Sequence, residues 1–353
     1  MLESTDRARE YTMLFRHRPS NTVSLALQGG GAHGAFTWGV LDALLEDGRL
    51  SFDGVSGTSA GAMNAVVLAS GLLQGGRDGA RAALERFWHA VAASAPAELP
   101  FNQGDEASAG MSAGIRMMLQ WARNFSPEQL NPFDVDPLRD LLNAQIDFDH
   151  LRASCPVKLF VAATHANTGK LRLFSAAEMS AAAVLASACL PSLHRAIEID
   201  GEPYWDGAYS ANPAVFPLFY DCAARDILLV LLSPLLHGET PHSADEIRAR
   251  SLDLAFNSTF LREMRMFAHA REYAGNSLLP RGRLERRLQR THFHLIEADE
   301  LLSQLASETR LTPSLTFVNM LRDQGRARTK AWLAAHYSAL GRRSSVNIGK
   351  MFY

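Results

Sequence analysis

Gly57-Thr58-Ser59-Ala60-Gly61 is a G-x-S-x-G run set between a short strand-like stretch and an Ala/Val-rich one. Glycines on either side of a serine remove the Cβ atoms that would clash in a sharp strand-to-helix turn, so the hydroxyl can stand exposed in a strained position. Ser59 is therefore the candidate nucleophile. A serine hydroxyl is a poor nucleophile at neutral pH; it needs a base and a place for the oxyanion it creates. The helix expected from Ala60 helps, because its positive end faces Ser59. The plainer reading of the same run is a tight turn with a capping serine.

Upstream, Gln28-Gly29-Gly30-Gly31-Ala32-His33-Gly34 follows the apolar run 23–27 and leads into a second helical pattern. Such a turn can present bare backbone N–H groups, here at Gly30, Gly31 and Ala32, to an acyl oxygen. A phosphate cradle is the competing use of a glycine loop. The spacing is not G-x-G-x-x-G, no Walker lysine follows, and the serine elbow occupies the place of the expected acidic residue.

For the base, His33, His89, His165 and His194 are available. The most distinctive acidic site is Tyr204-Trp205-Asp206-Gly207-Ala208, just before Asn212-Pro213. A carboxylate among aromatics is partly desolvated, which raises its pKa and makes it a better base than a surface carboxylate. Its plainer reading is a turn cap.

The elements that must hold these residues alternate. The pattern predicts strands over 23–27, 52–56, 157–163, 171–174, 227–232 and 292–296, and helices over 34–47, 60–73 and 79–93. That alternation is the signature of a layered α/β fold with a largely parallel sheet. Residues 1–20 read as an N-terminal arm, 21–236 as the catalytic domain, and 237–353 as a mainly helical C-terminal extension packed upon it. Between Pro96 and Pro137, Met111, Ile115, Met118, Leu119 and Ala122 recur at helical spacing; a docked core helix is the plainer reading and an adaptable lid the other.

The chain has 353 residues, 47% hydrophobic content and a formal net charge of -2. It is large enough for a packed core, and its near-neutral balance excludes a nucleic-acid footprint. Its three cysteines, Cys155, Cys189 and Cys222, lack metal-type spacing and read as reduced thiols of a cytosolic-type protein. Residues 1–20 are charged and lack the apolar core of a secretory signal, so the expected location is cytoplasmic. The apolar stretches 181–193 and 227–236 are too short to span a bilayer, leaving only peripheral membrane contact. The basic run 281–290 would suit an anionic surface, although a solvated helix face is the commoner use.

G-G-G-x-x-G, then G-T-S-A-G, then D-G-A followed by N-P, with Ala186-Ser187-Ala188-Cys189-Leu190-Pro191 before the D-G pair, resembles the patatin-like phospholipases. The resemblance runs from about Val23 to Leu232. It implies a three-layer α/β/α fold with a mainly parallel central sheet and a serine acyl hydrolase with a Ser–Asp dyad, free of metal and cofactor. By motif position, Ser59 would be the nucleophile and Asp206 the base. The loop Gly29-Gly30-Gly31, with Ala32, would be the oxyanion hole. Two departures stand out: His33 where the family usually carries Arg or Lys, and Ala208 where glycine is commoner.

The expected substrate is a carboxylic ester of a lipid, as for a phospholipase A or lysophospholipase. Met63, Leu68, Met118 and Met179 could line its acyl channel or belong to the core. The alternatives are an esterase acting on hydroxyalkanoate oligoesters, small esters or thioesters, and a catalytically silent lipid-binding scaffold. The oligomeric state is left open.

Overall fold

A computed structural model describes residues 21–94, 126–131, 136–236, 238–275, 282–298 and 313–353. The expected N-terminal arm and the methionine-bearing stripe at 111–122 lie outside these residues. Among the described residues, eight strands form one mixed sheet. They are β1 (Thr22–Leu27), β2 (Ser51–Thr58), β3 (Lys158–His165), β4 (Leu171–Ser175), β5 (Ile197–Ile199), β6 (Glu202–Asp206), β7 (Asp226–Leu231) and β8 (His292–Glu297). Their order is β5-β6-β3-β2-β1-β7-β8, with β4 paired to β3. The run β3-β2-β1-β7-β8 is parallel throughout; β4 and β6 join β3 antiparallel.

Side chains alternate across a strand, and here the alternation sorts two helical layers. Val23, Leu25 and Leu27 of β1, with Leu228 and Val230 of β7, enter one core. That core is closed by α1 (Gly34–Asp47), α2 (Ala60–Ser94), α3 (Pro137–Gln145), α4 (Phe148–Ser154), α5 (Ala181–Ser187) and the later helix α9 (Leu315–His336). Ala26, Ile227, Leu229 and Leu231 face the other core, beneath α6 (Phe216–Asp221), α7 (Ala244–Gly275), α8 (Arg283–Arg290) and α10 (Ile348–Phe352). The result is the expected three-layer α/β/α arrangement.

The two helices expected over 60–73 and 79–93 form one bent element, α2, whose backbone leaves helical geometry at Gly75 and Gly76. Residues beyond 236 do more than cover the sheet: they supply β8, paired to β7 along its length. The chain's last segment is pinned there by buried polar groups. Asp226 Oδ1 lies 2.9 Å from His294 Nε2, His294 Nδ1 lies 3.1 Å from Ser345 Oγ, and the Gly341 N–H donates to Asp226. Of the residues offered as channel lining, Leu68 and Met179 are fully buried and Met63 nearly so, all within the core. Among the described residues no helix is long and apolar enough to cross a membrane.

Candidate active site

In the register of the parallel strands, Leu27 pairs with Gly57 and Thr58 with Ala162. The glycine loop, the serine elbow and the carboxyl end of β3 therefore meet at one edge, where open α/β sheets form their crevices. Ser59 follows β2 directly and has a φ of 54°, a left-handed conformation that a serine adopts only when its surroundings impose it. The surroundings here are specific. A Cβ on Gly61 would stand 2.2 Å from the Leu27 carbonyl oxygen, so only a glycine lets α2 start this close to β1. The Ser59 N–H donates to Ser187 Oγ at 2.9 Å, and the Ser59 carbonyl accepts from Met63 as α2 begins.

Asp206 is the last residue of β6, a strand absent from the sequence expectations. Its backbone is fixed on two sides: the N–H donates to the Cys189 carbonyl at 2.8 Å, and its carbonyl accepts from Thr164 Oγ1 at 2.8 Å. The carboxyl caps the following turn by accepting the Ala208 N–H at 2.8 Å, and the Ser59 hydroxyl lies beside it. The turn-cap and base readings of Asp206 are thus the same geometry. The group is 2% exposed. Burial pushes its pKa up to about 7, against the opposing pull of the Ala208 amide and the Ser59 hydroxyl.

The glycine loop lies against this pair. A Cβ on Gly29 would stand 2.9 Å from Ser59 Cβ and 2.8 Å from the Thr58 carbonyl oxygen, so the loop approaches the elbow as closely as backbone permits. Gly29 itself corrects one expectation: its N–H donates to Asn212 Oδ1 at 2.8 Å and is not free for an oxyanion. It anchors the loop. The following N–H groups, of Gly30, Gly31 and Ala32, have no acceptor among the described residues, and Gly31 takes the left-handed φ of 59° that turns the chain into α1.

The motif-based family resemblance is matched independently. The model of one protein family, Patatin-like phospholipase, matches residues 25–219. The chain belongs to the patatin-like phospholipase family. Lipid acyl hydrolysis is the general activity that goes with membership. Among solved structures, VipD from Legionella pneumophila superposes with a TM-score of 0.42 and 16% identity, over 95% of this chain and 73% of VipD. Among curated proteins none matches the chain significantly.

The site of this patatin-like chain differs from its motif reading at the histidine of the glycine loop. His33 is 2% exposed and stacks edge-on against Phe317 of α9, 6.0 Å between ring centres. It packs inward, where an arginine or lysine would bring a charge. The other histidines serve elsewhere: His89 contacts Asn319, His165 pairs with Glu202, and His194 lines a cavity with Leu185, Ala188, Leu193 and Arg195. That cavity reaches Cys189, whose carbonyl holds Asp206. Burial pushes the Cys189 thiol up to about 12 and Cys222 up to about 11, so neither is a thiolate nucleophile.

Several residues escaped the motif reading. Ser187 and Gln28 enter it only as parts of longer runs, and Asn257 and Glu263 do not enter it at all. Ser187 is a polar residue inside an apolar run and Gln28 closes one, whereas Asn257 is followed by Ser258 and Thr259 and Glu263 stands between Arg262 and Arg265, so the sequence offers no signal for those two. The basic run also proves partly inward: Arg287 donates to the Phe219 and Cys222 carbonyls at the end of α6, while Arg283, Arg286 and Arg290 remain exposed.

Proposed function

We propose that the chain hydrolyses carboxylic esters of lipids through an acyl-enzyme on Ser59, with Asp206 as the only protein base. The observation that supports this reading is the placement of the Ser59 hydroxyl beside a buried carboxyl whose pKa is raised to about 7. A carboxylate of ordinary pKa would accept a serine proton poorly; one near 7 is matched to neutral pH.

In the first half-reaction Ser59 Oγ bonds to the acyl carbon as its proton passes to Asp206. The carbonyl electron pair moves to the oxygen, facing the N–H groups of Gly30, Gly31 and Ala32. Collapse breaks the bond to the alcohol, which leaves with the proton from Asp206. In the second half a water gives its proton to Asp206 and bonds to the acyl carbon, and Ser59 recovers the proton as the acid departs. The positive end of α2 favours negative charge at Ser59 throughout.

Fluorophosphonate labelling tests the assignment. Wild-type protein is expected to label at Ser59 and Ser59→Ala not at all. Asp206→Asn, which keeps the cap on Ala208 but not the base, is expected to lose about 10²–10⁴-fold in kcat. Near-normal turnover in Asp206→Asn would refute the dyad, and a folded wild type that never labels would refute the enzyme. Phospholipid and p-nitrophenyl esters of graded chain length then define the substrate.

A further inference from the structure

Asn257 lies in α7, well beyond the residues that match the family, yet it reaches the floor of the site. It is 5% exposed, and its Oδ1 accepts from Gln28 Nε2 at 2.8 Å. Gln28 is fully buried and is the residue from which the glycine loop departs. Its Oε1 accepts two amides at the end of β7, Leu232 N–H at 2.6 Å and Ser233 N–H at 2.9 Å, and its own N–H donates to the Val230 carbonyl at 3.1 Å. Gln28 Nε2 also lies 3.5 Å from the carbonyl of Asn212, the residue whose side chain takes the Gly29 amide.

The same turn of α7 touches the other half of the site. Phe256 packs edge-on against Tyr209, 5.0 Å between ring centres, and Tyr209 ends the turn that Asp206 caps. Seven residues past Phe256, Glu263 accepts the Val215 and Phe216 N–H groups, just after the Asn212–Pro213 pair. One helix thus holds the loop of free amides through Asn257 and the carboxylate turn through Phe256.

A buried side-chain amide with both ends engaged has one orientation. Without the Asn257 oxygen, Gln28 Nε2 would lack its short acceptor, and any rotation to find another would drag on two β7 amides and on Gly29. Displacements of this kind act on the transition state more than on the bound substrate, because the oxyanion forms only there.

We propose that Asn257 is a positioning residue which, through Gln28, aims the Gly30, Gly31 and Ala32 amides at the oxyanion of an ester bonded to Ser59. This rests on the reading of Ser59 as nucleophile. The segment after residue 236 is then part of the catalytic apparatus.

The test compares full-length wild type, Asn257→Ala and Asn257→Asp, with kcat expressed per site titrated by fluorophosphonate. For Asn257→Ala, kcat on a short p-nitrophenyl ester is expected to fall about tenfold or more while KM stays within about twofold. Affinity for a trifluoromethyl ketone, whose serine adduct carries the oxyanion, should fall in parallel. Asn257→Asp keeps an acceptor oxygen and should recover most of both. If the alanine variant does not fold, Asn257→Ser, whose hydroxyl is too short to reach Gln28, is expected to show the same split. Unchanged kcat per titrated site and unchanged ketone affinity would overturn the inference and leave Ser59 standing. A loss of titratable sites with normal kcat at those remaining would also overturn it, since that is a folding role alone. Failure of the wild type to label would instead remove the reading on which it rests.

Discussion

Ser187 Oγ accepts the amide of Ser59 at 2.9 Å, joining the end of α5 to the residue between β2 and α2. An amide at the start of a helix has no intrahelical acceptor, so a group from elsewhere must satisfy it. Ser187→Ala leaves this part-buried donor without that partner, which costs about 1 kcal/mol, the lower end of the range for a buried amide. Urea unfolding is expected to show that loss. Relaxation of the elbow should also lower kcat about tenfold or more, since small displacements of a reacting group are costly. Wild-type values for both quantities would show that Ser187 is incidental to the elbow.

The raised pKa of Asp206 sets the pH profile. Only the ionised carboxylate can take the Ser59 proton, so log kcat/KM is expected to climb with unit slope through pH 5 and 6 and level off near 7. A histidine base would give a similar midpoint, and Asp206→Asn separates the two. With histidine as the base the residual activity keeps the same inflection; with Asp206 as the base the inflection disappears. A wild-type profile already flat down to pH 5 would place the base's pKa in the ordinary carboxylate range.

The candidate residues could be picked out of the sequence because each sits in a glycine context that local sterics alone explain. Gly57 and Gly61 mark the elbow, Gly29 to Gly31 the loop, and Gly207 the acid's turn. Their supports were not legible. Gln28 meets Asn257 from 229 positions away, and no periodicity or turn chemistry links the two. The strand character of Glu202–Asp206 was hidden by Pro203 and by the glycine after it, and it emerges only because β3 offers an edge. The Gly29 amide looked free in the sequence because its acceptor, Asn212, comes from a loop beyond β6. His33 read as a weakened charge at the loop; its ring in fact packs on Phe317, a contact with the C-terminal part of the chain.

Backbone strain at Ser59 separates function from stability. A non-glycine residue in the left-handed region carries about 1–2 kcal/mol, which glycine avoids. Glycine in turn loosens the unfolded chain by about 0.4–1 kcal/mol. Ser59→Gly and Ser59→Ala both lack the hydroxyl beside Asp206, so their difference isolates the backbone. Ser59→Gly is expected to be the more stable by about 0.5–1 kcal/mol, with both inactive. Ser59→Gly melting below Ser59→Ala, as the looser unfolded chain alone would dictate, would mean that the elbow stores no strain.

One buried carboxyl, Asp206, and one half-buried, Glu263, make stability depend on pH in an unusual direction. Burial raises Asp206 to about 7 from 3.8, and Glu263 to about 7 from 4.5. The folded chain therefore binds these protons more tightly than the unfolded chain does. Their contribution is fully present below about pH 4 and is lost as pH rises through 7. Glu263→Gln tests this without touching the dyad, because the amide oxygen can still accept the Val215 and Phe216 N–H groups. A pKa gap of about 2.5, at ~1.4 kcal/mol for each whole step, caps the gain at about 3 kcal/mol. The variant is expected to match wild type near pH 5 and to melt higher at pH 8, with kcat retained. If Glu263→Gln instead melts lower at pH 8 than wild type, then the ionised carboxylate is worth more as an acceptor for those two amides than its burial costs.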